Sequence, residues 1–216
     1  MAQNSVEYFA SMQTQTGWTT ILESFARFVD PPEDARLLDV GTGPGALVKI
    51  FREQYKAEAY GVDADPLMMA HAFSTQNVGQ AFVCGSVDHL PLKAEHFDVV
   101  TATNVLYLVD EALPALQELA RILKPSGTLV MLNPSPKMSI LAATALADER
   151  NLSGFARENF IHWGEMAEAK VRWSPEQIAE LFQKAGLKLT ETRERVGSGL
   201  ALYARGIKGG EYNHVK

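Results

Sequence analysis

Three glycines within five residues, Gly41, Gly43 and Gly45, stand between a short apolar run and an amphipathic stretch, and nothing else in this 216-residue chain restricts its fold as strongly. Leu37, Leu38 and Val40 have the apolar character of a buried strand, whereas Leu47, Ile50 and Phe51 recur at helical spacing. Glycine enters tight turns without a Cβ penalty and lets a ligand come close to the backbone. The segment therefore predicts strand, tight loop and helix, with a bound small molecule over the loop.

The same alternation continues along the chain. Strands are expected near Ala59 to Val62, Ala81 to Cys84, Phe97 to Thr103 and Thr128 to Leu132, with a helix opening at Pro66. Asp110 is placed to cap a helix carrying Leu113, Leu116, Leu119 and Leu123, and Pro114 fits only in its first turn. Upstream, Trp18, Ile21, Leu22, Phe25 and Phe28 predict a leading helix between Gly17 and Asp30. Downstream, Ser174, Pro175 and Gln177 form a cap, first-turn proline and capping-box partner for a helix closed by Gly186. Two last strands, Leu187 to Arg195 and Gly199 to Ile207, are close enough in sequence to pair antiparallel. The predicted fold is α/β: a doubly wound, mostly parallel seven-stranded sheet with an antiparallel last strand and helices on both faces.

The length fits a single domain over residues 1–216, divided into an N-terminal helical segment (1–35), a ligand-binding core (36–133), an insertion (134–173) and a C-terminal helix and strand pair (174–216). A net charge of −6 provides no basic field for nucleic acid. The only cysteine, Cys84, excludes an intrachain disulfide and a multi-cysteine zinc site, and no metal is expected. No run approaches the roughly 20 apolar residues of a membrane span, and the first residues lack the pattern of a secretory signal. A cytoplasmic protein without nucleic-acid or membrane partners is expected; the oligomeric state is not legible.

The glycine spacing alone fits two ligands. Gly41, Gly43 and Ala46 satisfy the Gly-x-Gly-x-x-Gly/Ala dinucleotide fingerprint, and Asp63 lies about 20 residues further on, where an acid accepts hydrogen bonds from ribose hydroxyls. NAD and S-adenosylmethionine both carry that diol.

Four segments in order, LLDVGTGPG, YGVDADP, VCGSVDHLPL and FDVVTATNVLYLV followed by LKPSGTLVML, resemble the class I S-adenosylmethionine-dependent methyltransferases, especially those of small molecules. The match runs from Arg36 to Asn133. It implies that Gly41, Thr42, Gly43 and Gly45 pass under the methionine part of the cofactor, with Asp39 near its ammonium. It likewise implies that Asp63 holds the ribose hydroxyls, that Ala64 and Leu67 or Met68 flank the adenine, and that Asn104 offers a backbone carbonyl to the methionine amine. Where the family often has an acid followed by alanine, this chain has Ser86 and Val87, which retain a hydroxyl and a backbone N–H for the adenine edge. S-adenosylhomocysteine would be the product.

The resemblance implies transfer of a methyl group to an O, N, S or C nucleophile of a small organic acceptor, mainly by positioning for in-line displacement. Tyr107 would sit just above the sulfonium, together with Leu106. If a base operates, the candidates are His162 and Tyr107, followed by Tyr8 and His71. Met138 to Ala147, with Phe155, Phe160 and Trp163, reads equally as a lid over the acceptor or as an amphipathic element packed on the sheet. An NAD-dependent oxidoreductase and a non-catalytic cofactor-binding module are the alternatives. The first leaves the LPL and LKPSGTLV segments unexplained, and the second would bind cofactor without turnover.

Overall fold

A computed structural model of the chain describes residues 2–76 and 81–209; the expected domain limits at 1 and 216 lie outside them. Two helices, Ala2–Thr14 (α1) and Thr16–Val29 (α2), precede the first strand, Arg36–Val40 (β1). Helix Ala46–Tyr55 (α3), strand Glu58–Asp63 (β2), helix Pro66–Thr75 (α4) and strand Phe82–Cys84 (β3) follow. Strand Phe97–Thr103 (β4), helix Ala112–Ile122 (α5) and strand Leu123–Pro134 (β5) complete the alternating part. Helices Ile140–Glu149 (α6), Gly154–Glu168 (α7) and Pro175–Lys184 (α8) then lead to strands Leu187–Arg195 (β6) and Ala201–Lys208 (β7). No helix among the described residues is long and apolar enough to cross a membrane.

The seven strands form one sheet in the order β3-β2-β1-β4-β5-β7-β6, with β7 antiparallel to both of its neighbours. Both faces are covered, which is why β1 and β4 read as nearly continuous apolar runs. Leu37 and Val99 enter a layer beneath α2, α3, α6 and α7; Leu38 and Val100 enter the opposite layer with α5 and α8. From β1 the chain winds outward to β2 and β3, then returns to β4 on the other side. Beyond the carboxyl ends of β1 and β4 this reversal leaves a crevice, the usual ligand position in such sheets.

The α2 helix is fixed to the sheet through Tyr203 of β7, a fully buried ring that packs against Phe25 at 5.3 Å and donates its hydroxyl to the Ile21 carbonyl at 3.3 Å. At α8 the expected capping box is present in both halves, Ser174 with the Gln177 backbone and the Gln177 side chain with the Ser174 backbone. Gly186 follows that helix with φ +78°. Each half satisfies an N–H that the first helical turn leaves without a partner.

Two expectations about local structure are corrected. Asp110 does not cap α5: Glu111 occupies that position without a side-chain cap bond, and Asp110 is exposed, 3.9 Å from Lys170. Leu123 begins β5 instead of ending α5, because its pairing with Phe97 extends the strand backward past the Lys124–Gly127 stretch. The helical character of Met138 to Ala147 is present as α6, and the 134–173 segment contains a second helix, α7, packed on it.

Candidate active site

The crevice is a cleft of about 440 Å³ at the carboxyl ends of β1, β2 and β4. The glycine loop forms its floor by folding back on β2: the N–H groups of Gly41 and Thr42 both donate to the Val62 carbonyl, at 2.8 and 3.1 Å. Gly41, Gly43 and Gly45 all have positive φ, at +67°, +54° and +86°. At Gly41 a Cβ would lie 2.0 Å from Val105 Cγ2, so only glycine fits between the loop and the chain leaving β4. Gly45 has a different reason to be glycine. It precedes α3, its absent Cβ leaves room for the Phe82 ring, and it is not part of the cleft wall.

Two carboxylates flank the loop in unlike environments. Asp63, at the end of β2, accepts from the Gly43 N–H at 2.9 Å through one oxygen and from the Asp65 N–H at 3.0 Å through the other. These bonds fix its plane toward the cleft. Asp39, at the end of β1, is 2% exposed and accepts the Thr101 hydroxyl at 2.7 Å, with the Thr42 hydroxyl beside it. Burial pushes its pKa up to about 7; the threonine hydroxyls oppose the shift and the charge of Asp63 adds to it.

Asp39, Gly41, Thr42, Gly43 and Asp63 line the cleft, as do Ala64 and Met68. Leu67, the alternative to Met68, is 44% exposed and turned away. Ser86 and Val87 form the wall beyond Asp63, and Asn104 closes the opposite side. Asn104 adopts φ +56°, and its buried Oδ1 has no partner among the described residues; the same holds for the hydroxyl of neighbouring Thr103. Buried polar atoms left unpaired beside a cavity fit a polar ligand.

The structure does not bring the catalytic candidates to this cleft. His162 is on the exposed side of α7, 3.1 Å from Glu165 and edge-on to Tyr8. Tyr107 is 5% exposed, with its phenol beside the Trp163 indole, and burial pushes its pKa up to about 12. Tyr8 donates to Asn159 Oδ1, and His71 lies on α4, outside the lining. Among the lining residues described, the titratable side chains are Asp39, Asp63 and Asp65.

The apolar face of the 134–173 segment is likewise elsewhere. Met138, Ala143, Leu146, Phe160 and Trp163 are core residues, and Trp163 packs edge-on against Trp18 at 5.4 Å. The segment buttresses the cleft by way of α2, whose Trp18 and Leu22 form the wall. The roof comes from α1: Phe9, Met12 and Gln13 line the cleft. Gln13 latches α1 to the loop, accepting from the Ala46 N–H at 3.2 Å and donating to the Thr42 carbonyl at 3.4 Å. Reading for helices from Gly17 onward misses α1, although Val6, Phe9 and Met12 at intervals of three carry a helical signal. Gln13→Ala is expected to speed amide hydrogen exchange in α1 while lowering global stability by only about 1 kcal/mol.

The comparisons with known proteins agree with this geometry. Residues 38–131 match a methyltransferase domain family. A demethylmenaquinone methyltransferase of Roseiflexus castenholzii is 29% identical over 211 residues, covering 90% of this chain and 83% of that protein. Another, from Roseiflexus sp. strain RS-1, is 30% identical and covers 83% and 79%. Among solved structures, a putative methyltransferase of Haloferax volcanii in complex with the Trm112 activator superposes with a TM-score of 0.70 at 21% identity, covering 93% of each chain. The magnesium protoporphyrin IX methyltransferase of Synechocystis with bound S-adenosylhomocysteine gives 0.67 at 17% identity, covering 96% of each. The chain belongs to the class I S-adenosylmethionine-dependent methyltransferases. It is an enzyme that uses S-adenosylmethionine, and neither the oxidoreductase nor the non-catalytic alternative finds support.

Proposed function

We propose that this enzyme methylates a small organic acceptor with a largely apolar body, and does so by positioning, without a dedicated base. The carrying observation is the division of the cleft wall. The carboxylates lie against the glycine loop and the end of β2, whereas Phe9, Met12, Trp18, Leu22 and Leu108 supply apolar walls. The names of the demethylmenaquinone and magnesium protoporphyrin IX methyltransferases give the same direction for the acceptor.

In this reading Gly41, Thr42 and Gly43 pass beneath the methionine part of the cofactor, Asp39 faces its ammonium and the Asn104 carbonyl accepts from the same group. Asp63 holds the ribose hydroxyls, while Ala64 and Met68 flank the adenine, whose edge is met by Ser86 and Val87. The bound sulfonium supplies an electrophilic methyl group. The chain's own task is to align the acceptor and exclude water, which the apolar walls and the α1 roof do. With all three titratable residues of the described wall at the cofactor end, no side chain among the described residues of the wall is placed to take a proton from the acceptor.

The reading treats the chain as one methyltransferase domain in which residues 134–173 support the cleft. It places the enzyme in the cytoplasm, in keeping with its single free cysteine, Cys84. Calorimetric titration with S-adenosylhomocysteine and NAD, followed by a methyl-transfer screen over apolar and polar acceptors, tests it. Micromolar binding of the first ligand alone and turnover confined to apolar acceptors are expected; turnover only on nucleic acid or protein would overturn the reading.

A further inference from the structure

Asp39 is a buried carboxyl group with no cation beside it among the described residues. It shares a strand face with Leu37 beneath α2, and its bonded partner is an uncharged hydroxyl, Thr101 Oγ1 of β4. The loop contributes Thr42, and β2 contributes Asp63, a like charge. Asp65, at the start of α4, is the remaining titratable group of the wall, which contains no lysine, arginine or histidine among the residues described. An ionised carboxylate in such a place is costly, and a group so placed takes up a proton or a cation.

We propose that cofactor binding in this cleft is proton-linked: Asp39 holds a proton in the cofactor-free protein and gives it up to solvent when the cofactor's ammonium settles beside the carboxylate. No covalent bond to carbon changes; one O–H bond breaks, the proton passes to buffer, and an ion pair replaces it. The inference rests on the reading of Asp39 as the residue that faces the ammonium. Its position near neutrality, about 7, makes the linkage operate at physiological pH, where modest acidification weakens cofactor retention.

The titration window is set by chemistry on both sides. The cofactor's own amine has an ordinary pKa of about 7.7–8.0, so measurements belong below that range. His89, bridged through its backbone to Ser86 of the cleft wall, is the histidine whose substitution serves as the control.

Titration calorimetry with S-adenosylhomocysteine, repeated in buffers of different ionisation enthalpy, counts the protons released. Most of a proton is expected to be released at pH 6 and less at pH 7, with affinity several-fold weaker at pH 6. In Asp39→Asn the release disappears. If that variant binds too weakly to titrate, the cofactor-free protein gives a second readout. The folded-state pKa is raised above the ordinary 3.8, so this group's stabilisation is full below about pH 4 and is lost as pH rises through about 7. The wild type should therefore show a pH-dependent fall in urea midpoint across that range that Asp39→Asn lacks. Release that persists in Asp39→Asn, or vanishes in His89→Gln, would assign the proton elsewhere and overturn the proposal. Tight binding with no release at pH 6 would overturn the linkage while leaving the methyltransferase reading intact; no binding at any pH would instead sink the cofactor assignment.

Discussion

Gly41→Ala should weaken S-adenosylhomocysteine binding by about a hundredfold or more while leaving a folded protein. The added Cβ would lie 2.0 Å from Val105 Cγ2 and 3.3 Å from Val105 Cβ, and the backbone there holds φ +67°. Either the loop lifts away from β2, giving up the two bonds to the Val62 carbonyl, or Val105 retreats and carries Asn104 with it. Both movements displace a wall of the proposed cofactor cleft. Strain of this kind costs about 1–3 kcal/mol, which a domain of this size survives, whereas a displacement of the loop by an ångström removes most of the cofactor's contacts. Val105→Ala added to Gly41→Ala removes the closest clash but not the φ penalty, and partial recovery of affinity is expected. Titration calorimetry and urea denaturation separate the two effects. Near-native binding by the single variant would show that the loop is not the cofactor floor.

What the sequence made legible follows from where each residue's constraint lies. The strands showed because burial on both faces of a parallel sheet leaves runs such as Leu37-Leu38 and Val99-Val100 with no polar alternation to confuse them. The glycine loop showed because left-handed backbone at three positions in five needs glycine, a demand written directly in residue type. Ser174 and Gln177 were readable for a similar reason: the capping box is a local bond pattern with fixed spacing.

The misses share the opposite property. The role of α1 depends on the partner it covers, and nothing local to Phe9, Met12 or Gln13 says that they face the glycine loop from 30 residues away. Asp110 has the chemistry of a cap, but α5 starts at Ala112 with Glu111 in the cap position, one residue further along the chain that leaves the cleft wall at Leu108 and Val109. His162 and Tyr107 drew attention as titratable types in an aromatic neighbourhood; one faces solvent and the other is sealed beside Trp163. Residue type identifies groups able to move a proton. Only packing says whether they reach the acceptor, and in the proposed complex the wall that does so is apolar.

Asp63→Ala is expected to be the most damaging substitution that leaves the glycine loop's own sequence unchanged. The carboxylate has two duties that one measurement cannot separate. Through Gly43 and Asp65 it ties the loop to the start of α4, and in the proposed complex it accepts from both ribose hydroxyls. Hydrogen bonds to a charged acceptor contribute about 1.5–3 kcal/mol each, so losing the pair alone should raise the dissociation constant of S-adenosylhomocysteine at least about a hundredfold. A cofactor analogue without the ribose hydroxyls separates the duties, because it keeps the methionine and adenine ends and cannot use the carboxylate. If Asp63 acts on the ribose, Asp63→Ala should cost the analogue far less affinity than it costs S-adenosylhomocysteine. If both ligands weaken equally, Asp63 acts through the loop, and the ribose site must be sought elsewhere along the end of β2. Asp63→Asn keeps one carbonyl acceptor for the Gly43 N–H, so it should preserve the loop and lose the charge. Its affinity is then expected between those of the wild type and Asp63→Ala for the natural ligand, and near wild type for the analogue.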